Sequence, residues 1–378
     1  MLLLSLAACG LFGPDKVGKN PEADETEAAP SEWRITSETY SDRSDRDGLL
    51  EIPFEVRDPD EILQIVVETD KWASTEYLYN PDNELVLDWE TAFSSRESLT
   101  EAFYPTEFAT TLNWPVRGID APLAVGTWTM AVATLNSQGV YVDREDVDIT
   151  ILRRIDPDVG IGNLRVLLAY AGDLAGDTEV VSAVEQAVAY WTELYAAEGI
   201  TLTVTYTEID VDPALPDTYE GLDAFETLLE AQPDRTLLMV IGDTIGGIDY
   251  LFGESGGIPG PYLPTPAAAV EVSWIAHAGG NGRFSESEVL LMGETMAHET
   301  GHYIGLFHPV EDGWVYFDAL EDTVTCDSWE QCDNRLGDNL MYPYPVCTGM
   351  SFDTCGRQDV LTDDQSGVQH RYLGVESP

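Results

Sequence analysis

Three histidines and one glutamate lie at spacings that suit a zinc site, within the stretch His298–His308, which reads HETGHYIGLFH. On a helix, His298 and His302 are four residues apart and leave the same face, so both can bind one ion. Gly305 can adopt a left-handed conformation that ends the helix and lets His308 return to the same ion. Three neutral imidazoles leave the fourth tetrahedral position for water, as in catalytic zinc sites. The sequence therefore predicts one catalytic Zn²⁺ with three histidine ligands.

Glu299 follows the first predicted ligand directly and is expected to face that water. A carboxylate in this place can act as a general base in metal-assisted hydrolysis. The alternative is a polar helix with incidental histidines. The chain has only five histidines, so three of them in register with a glutamate and a glycine favour the metal site.

The helix that carries these residues has its own start signal. Ser285 and Glu288 form a capping box, and Val289, Met292 and Met296 give the helix an apolar face. A buried helix of this kind is what a metal site needs to hold its ligands in place.

The preceding residues alternate between strand and helix patterns. The predicted strands are Leu164–Tyr170, Ile200–Tyr206 and Thr236–Ile241, and the predicted helices are a stripe from Val181 to Tyr195 that ends near Gly199 and a second helix at Tyr219–Ala231. This alternation indicates an α/β sheet. Ala267–Ile275 is predicted as a further strand, either the sheet edge where an extended peptide pairs or a covered edge strand. His277 is expected to be an ordinary surface residue or a residue behind the metal ligands.

Residues 32–155 show period-two patterns such as Leu50, Ile52, Phe54 and Val56, separated by turn-forming clusters. We interpret this segment as an all-β sandwich, which serves either as a substrate-docking or carbohydrate-binding module or as a plain spacer. The acidic run Asp42–Gly48 suggests a bound Ca²⁺, although it lacks the later acidic ligand of an EF-hand loop and is more typical of a solvated turn.

The formal net charge is -51, from 69 acidic against 18 Lys and Arg residues. This charge argues against nucleic acid and anionic membrane surfaces as partners. It is consistent with basic substrates or bound calcium, or simply with solubility in a salty medium.

The first ten residues, MLLLSLAACG, resemble the end of a bacterial lipoprotein signal peptide with Leu6–Cys9 as the lipobox. Cys9 would then be the lipidated residue, residues 10–31 a flexible tether, and the protein a component of the bacterial cell envelope, anchored at the outer membrane or cell surface or otherwise secreted. The alternative is a short buried apolar segment.

Four further cysteines lie close together near the C-terminus: Cys326, Cys332, Cys347 and Cys355. In an exported protein an even number suggests two disulfides, and four cysteines allow three pairings. The competing interpretation is a second zinc site formed by four thiolates.

The stretch His298–His308 resembles the extended zinc motif of the metzincin metallopeptidases at every defining position. DNLMYP at 338–343 resembles the Met-turn of that clan, with Met341 as its methionine. The resemblance covers roughly Leu164–Tyr372. It implies an α/β upper subdomain, an irregular disulfide-bearing lower subdomain, and a zinc-dependent endopeptidase of residues 160–378.

The subfamily marks differ from one another. Pro309 resembles the serralysins and LMYP at 340–343 the matrixins, whereas the four cysteines, Asp322–Thr323 and LTDDQ at 361–365 resemble the pappalysin group most. The implied substrate is a protein or peptide, with membrane association only through the lipid anchor. The alternative function is a catalytically silent surface-binding protein that retains a metal site.

Overall fold

The computed structural model describes residues 34–376, apart from positions 95, 156–159, 218–220, 233–235, 279–283, 312 and 350. The predicted signal peptide, the lipidation site at Cys9 and the tether lie outside the described residues. The predicted domain boundary near residue 156 also falls outside them.

The first part of the described chain, which we call the β segment, covers 34–155, and most of its regular elements are strands. They are β1 (Arg34–Arg43), β2 (Leu49–Val56), β3 (Glu61–Tyr79), β4 (Leu85–Asp88), β5 (Glu97–Ser98), β6 (Thr106–Trp114), β7 (Gly126–Leu135) and β8 (Asp146–Ile155), with one short helix, α1 (Trp89–Ala92). The alternating residues Ile52, Phe54 and Val56 are buried. The predicted strands in this segment are therefore confirmed.

The 19-residue strand β3 organises the β segment. Its first half pairs with β8 and β6, and its second half pairs with β7 and β4, all antiparallel. Strands β1 and β2 extend the pairing beyond β8 and β7. One long strand thus connects two sets of strands, and the sandwich arrangement stays a prediction.

The second part, which we call the C-terminal segment, covers 160–376 and mixes helices with strands. Its strands are β9 (Gly162–Ala171), β10 (Ile200–Ile209), β11 (Ala214–Leu215), β12 (Leu237–Gly242), β13 (Thr244–Ile245), β14 (Gly253–Ser255), β15 (Ala269–Ser273) and β16 (Phe317–Asp318). Its helices are α2 (Thr178–Ala197), α3 (Asp223–Glu230), α4 (Trp274–His277), α5 (Glu286–Tyr303), α6 (Trp329–Leu336) and α7 (Asp363–Arg371). The predicted alternation of strands and helices is confirmed, and α3 is shorter than the predicted helix.

Five of these strands form a mixed sheet in the order β10-β9-β12-β15-β14, in which only β14 is antiparallel to its neighbour. Alternate residues of β9 face opposite sides. Val166 and Leu168 join the core that includes Met292 and Met296 of α5, whereas Leu167 and Ala169 join a second core that includes Phe225 of α3. The sheet therefore supports α5 on one face.

The strand predicted at Ala267–Ile275 is present as β15, and only the alternative that it forms the open sheet edge is wrong. Strand β15 ends at Ser273, and β14 lies outside it, with Gly253 opposite Val272 and Ser255 opposite Val270. Only three residues make this outer strand, and they contain a glycine and no apolar alternation, so the sequence carried no strand signal there. Among the described residues, β14 is the last strand on this side of the sheet.

All the described residues belong to one compact unit. Buried polar contacts join the β segment to the C-terminal segment. Gln64 Oε1 accepts a hydrogen bond from Tyr262 N at 2.7 Å, and Arg154 donates to the Tyr372 and His370 carbonyls at 2.9 and 2.7 Å. Among the described residues, no helix has the length and apolar character of a membrane span.

Candidate metal centre

Helix α5 begins and ends where the sequence predicts. The Ser285 amide donates to Glu288 Oε2 at 2.6 Å and the Glu288 amide donates to Ser285 Oγ at 3.3 Å, which completes the capping box. The helix ends at Tyr303, and Gly305 has a φ of 110°. This left-handed glycine turns the chain and brings His308 back beside the helix.

The structure brings the three predicted ligand histidines together. His308 Nε2 lies 3.2 Å from His298 Nε2 and 3.1 Å from His302 Nε2. Zinc binds imidazole nitrogen at about 2.0–2.1 Å, so two tetrahedral ligands are separated by about 3.3 Å. The observed distances are close to that separation.

The Nδ1 atom of each ring donates to an acceptor on the protein. His298 Nδ1 donates to the Leu340 carbonyl at 2.8 Å, His302 Nδ1 to the Leu306 carbonyl at 2.6 Å, and His308 Nδ1 to Glu311 Oε2 at 2.9 Å. A neutral imidazole that donates from Nδ1 carries a lone pair on Nε2. Three lone pairs therefore converge on one point, and they repel one another unless a cation lies there. This donor set fits a Zn²⁺ ion.

Burial keeps the rings of His298 and His302 in the neutral form that binds metal. It lowers the pKa of His298 to about 3, with the neighbouring His308 adding to the effect. It also lowers the pKa of His302 well below its ordinary value, again with contributions from the adjacent histidines. Among the described residues, no other group of three His, Cys, Asp or Glu side chains brings its ligand atoms this close together.

Glu299 is buried beside the three rings, with 9% of its surface exposed. Burial raises its pKa to about 8, and the charge of Glu254 on the edge strand adds to the shift. A cation at the centre acts in the opposite direction. The edge strand, β14, has a glycine at the position that faces this side chain. A Cβ atom on Gly253 would lie 2.5 Å from Glu299 Cγ.

Met341 lies beneath the helix and is fully buried. Its Sδ atom is 2.5 Å from the position of a Cβ atom built on Gly301, so only a glycine in α5 allows this approach. The turn is closed by Asn339, whose side-chain oxygen accepts from Met341 N at 2.9 Å and whose carbonyl accepts from Tyr342 N at 3.0 Å. The turn thus packs against the helix between its first two histidines.

All four predicted cysteines are oxidised, and they pair with their neighbours in sequence as Cys326–Cys332 and Cys347–Cys355. The first disulfide is buried and ties the start of α6 to the loop before it. The prediction of two disulfides is confirmed. The four-thiolate zinc site is wrong, because each cysteine is bonded to another cysteine and none is left as a free thiolate.

Of the two expectations for His277, a surface residue or a residue behind the metal ligands, the first is wrong. It is fully buried, its Nδ1 lies 2.6 Å from the Ser273 carbonyl and its Nε2 lies 2.9 Å from Thr295 Oγ1. Burial lowers its pKa to about 4. His277 lies at the end of α4, which follows strand β15 directly. Through Thr295 it contacts α5 about one turn before the first ligand, His298.

The acidic run at 42–48 lies at the start of the β segment. Asp45 Oδ1 accepts from the Asp47 and Leu49 amides at 2.8 and 3.0 Å, and Arg43 pairs with Asp146 at 2.6 Å. These contacts are those of a turn capped by its own carboxylate. Calcium binding there stays a prediction.

Several residues of the centre were not predicted from the sequence. Glu311, three residues after His308, could have been found from that spacing. The Leu340 and Leu306 carbonyls and Gly253 could not, because main-chain acceptors leave no mark in sequence and Gly253 is 46 positions from the residue it accommodates.

No family model matches the chain, and no curated protein matches it. Among solved structures, archaemetzincin from Methanopyrus kandleri is similar at 15% identity over 44% of this chain and 85% of that chain, with a TM-score of 0.28. Metalloproteinase-II from Bacteroides fragilis is similar at 17% identity over 54% of this chain and 63% of that chain, with a TM-score of 0.25. A structure of infectious bursal disease virus matches at 13% identity over 37% and 36% of the two chains, with a TM-score of 0.20. Similarity at this level carries no information about function.

Proposed function

We propose that this protein is a zinc-dependent endopeptidase with Glu299 as its general base. The observation that carries the proposal is the cluster of three histidines, in which His308 Nε2 lies 3.2 and 3.1 Å from the Nε2 atoms of His298 and His302. Each ring is held through Nδ1, and a buried carboxylate lies beside them. Within the metzincin resemblance, the disulfide-bearing segment around Met341 favours the pappalysin group.

His298, His302 and His308 would hold the ion. When bound, Zn²⁺ supplies an acidified water molecule and polarises the carbonyl that is attacked. Glu299 takes the proton from the attacking water and later delivers it to the leaving amine. Its enclosure next to the ligands keeps bulk water from competing for that proton. The substrate main chain pairs along the edge strand β14, which ends the sheet beside Glu299.

The test is hydrolysis of casein and of a broad peptide library by the zinc-loaded protein, with Glu299→Gln and a chelator as controls. We expect the Glu299→Gln variant to retain one zinc ion and lose at least about 100-fold in kcat/KM, because the general base typically contributes ~10²–10⁴-fold. The chelator should abolish activity, and added Zn²⁺ should restore it.

The second candidate is a silent binding protein in which the metal is retained without turnover. It predicts zinc binding with no cleavage of any peptide in the library. That outcome would remove the peptidase assignment while leaving the metal site intact.

We also propose that the chain is anchored in a bacterial cell envelope through Cys9. The support is the lipobox resemblance of Leu6–Cys9. Palmitate labelling of the protein expressed in a bacterial host, compared with Cys9→Ser, tests this directly, and equal labelling of both proteins would refute it.

A further inference from the structure

The third histidine of the metal centre is oriented by a short loop that follows it. His308 Nδ1 donates to Glu311 Oε2 at 2.9 Å, and Glu311 begins the loop 311–317, which we call the acceptor loop. The side chain of His308 is 22% exposed and that of Glu311 34%, so packing alone does not fix their orientation. The direction in which His308 points therefore depends on what holds the acceptor loop.

Two main-chain hydrogen bonds close the acceptor loop into a turn. Glu311 N donates to the Tyr316 carbonyl at 2.8 Å, and Trp314 N donates to the Glu311 carbonyl at 3.0 Å. Because both bonds involve the main chain of Glu311, a contact that holds the tip of the turn also holds Glu311.

We propose that Arg96, in the β segment, is a positioning residue for the metal centre: it holds the acceptor loop and, through Glu311, orients His308. The inference rests on the zinc site of the proposed function and not on turnover. It gives the β segment a part in metal binding, which is neither substrate docking nor spacing.

Arg96 binds both the tip and the end of the acceptor loop. Its Nε donates to the Val315 carbonyl at 2.8 Å and its Nη2 to the Trp314 carbonyl at 3.4 Å. Its guanidinium lies over the Phe317 ring, 5.1 Å from the centroid, and its own carbonyl accepts from Phe317 N at 2.7 Å. The planar guanidinium group can donate from its edge and stack through its face at the same time, which an ammonium group cannot.

The chain on either side of this contact is anchored as well. Directly after Arg96, strand β5 pairs in parallel with β16, and Ala319 N donates to the Ser98 carbonyl at 3.1 Å. A little further on, Glu101 N donates to the Ile258 carbonyl at 2.8 Å, and Glu101 Oε2 accepts from Ile258 N at 3.1 Å. Arg96 therefore reaches the acceptor loop from a fixed position.

The other two ligands are oriented from within the C-terminal segment. His298 and His302 donate to the carbonyls of Leu340 and Leu306. A change at Arg96 is therefore expected to act on His308 and to leave the two ligands on α5 in place.

The experiment measures the Zn²⁺ affinity of the full chain by competition with a calibrated chelator. Arg96→Met keeps a long apolar stem and loses the donors, and we expect it to raise the Kd by about fivefold, the equivalent of one hydrogen bond. This is less than the loss expected when the acceptor itself is changed, because Glu311 is still present. Arg43→Met removes another exposed arginine of the β segment and should leave the Kd unchanged.

A double-mutant cycle with Glu311→Ala separates positioning from a general effect on the fold. Since Glu311→Ala removes the acceptor, Arg96→Met should cause no further loss of affinity in that background. The visible absorption of Co²⁺ bound in place of Zn²⁺ should change in the same way in both single variants, because both release the same ligand. An equal loss from Arg96→Met in both backgrounds, or a loss in neither, would overturn the inference.

Hydrogen exchange tests the same coupling without any variant. Coupling between two sites is reciprocal, so Zn²⁺ should slow exchange of the Phe317 amide, which donates to Arg96, more than that of the Gly162 amide, which donates to Gly199. An equal change at the two amides would refute the role of Arg96. A protein that shows this coupling and cleaves no peptide would refute the peptidase function alone.

Discussion

The three histidines of the metal centre are oriented by different kinds of acceptor. Leu340 and Leu306 present main-chain carbonyls to His298 and His302, whereas His308 is bound by the carboxylate of Glu311. A carboxylate acceptor raises the basicity of its imidazole and fixes the tautomer that binds metal. It is also the acceptor that a substitution can change without altering the backbone.

Glu311→Gln should therefore weaken zinc binding while the fold is retained. Loss of such an acceptor typically costs about 10–100-fold in metal affinity, and we expect a value near the lower end because glutamine can still accept the hydrogen bond. Competition with a calibrated chelator measures the affinity. Glu330→Gln, an exposed position on α6, is the control, and identical affinities for the two variants would show that Glu311 does not support His308.

Glu271 on β15 is a carboxyl group whose protonation differs between the folded and the unfolded chain. It is fully buried, neither carboxylate oxygen has a hydrogen-bond partner, and burial raises its pKa well above its ordinary value, with Glu254 and Asp217 adding to the shift. The folded state therefore holds a proton on Glu271 that the unfolded state releases above about pH 4.5.

The sign of the effect follows from this difference in proton binding. As pH rises above about 4.5, the unfolded chain binds fewer protons than the folded chain, so the free energy of unfolding decreases. The decrease is up to about 1.4 kcal/mol per pH unit, and it stops once the pH exceeds the pKa of Glu271 in the folded protein. Glu271→Gln should remove this slope and be more stable than wild type at pH 8 by a larger margin than at pH 5. Urea unfolding at both pH values measures it, and a margin that does not grow with pH would contradict the assignment.

At the scale of elements, the edge strand and α5 meet at one glycine. Gly253→Ala would place a methyl group 2.5 Å from Glu299 Cγ, so the carboxylate must move. A displacement of about 1 Å at a reacting group can cost ~10²-fold, and we expect a loss of that order in kcat/KM with the zinc content unchanged.

Gly176→Ala is the matched control for that variant, because a Cβ atom there meets nothing within 4 Å. Both proteins are compared by peptide hydrolysis and zinc stoichiometry. If Gly253→Ala cleaves peptides as fast as the control, the edge strand does not position Glu299.

The elements also show where sequence was sufficient. Helix α5, its capping box and the turn at Gly305 were predictable because each rests on local signals: a serine and glutamate three residues apart, an apolar stripe and a glycine. The edge strand β14 was not predictable, because three residues with no apolar alternation pair only through their partner strand.

At the scale of the molecule, Arg154 binds the β segment to the C-terminal segment. The guanidinium is fully buried and donates to the carbonyls of His370, Tyr372, Leu373 and Val375, at the end of α7 and in the turn after it. Cations are favourable at this end of a helix. One side chain of the β segment therefore contacts four main-chain carbonyls near the end of the C-terminal segment.

Arg154→Met should lower the free energy of unfolding by about 3 kcal/mol or more, because methionine fills the space and leaves several buried carbonyls without donors. Arg43→Met removes only an exposed ion pair and should cost far less. Urea unfolding of both variants makes the comparison. Equal losses would mean that the two segments do not depend on Arg154.

The contacts of Arg154 and His298 form in a set order during synthesis, because their partners lie later in the sequence. Arg154 leaves the ribosome 216 to 221 residues before the carbonyls that cover it, and His298 leaves 42 residues before the Leu340 carbonyl that orients it. A nascent chain that has just passed His308 already contains all three histidines, yet the first of them lacks its acceptor. Translation therefore separates the synthesis of the three ligands from the synthesis of the carbonyl that orients the first of them, and a competent centre has to wait for Leu340.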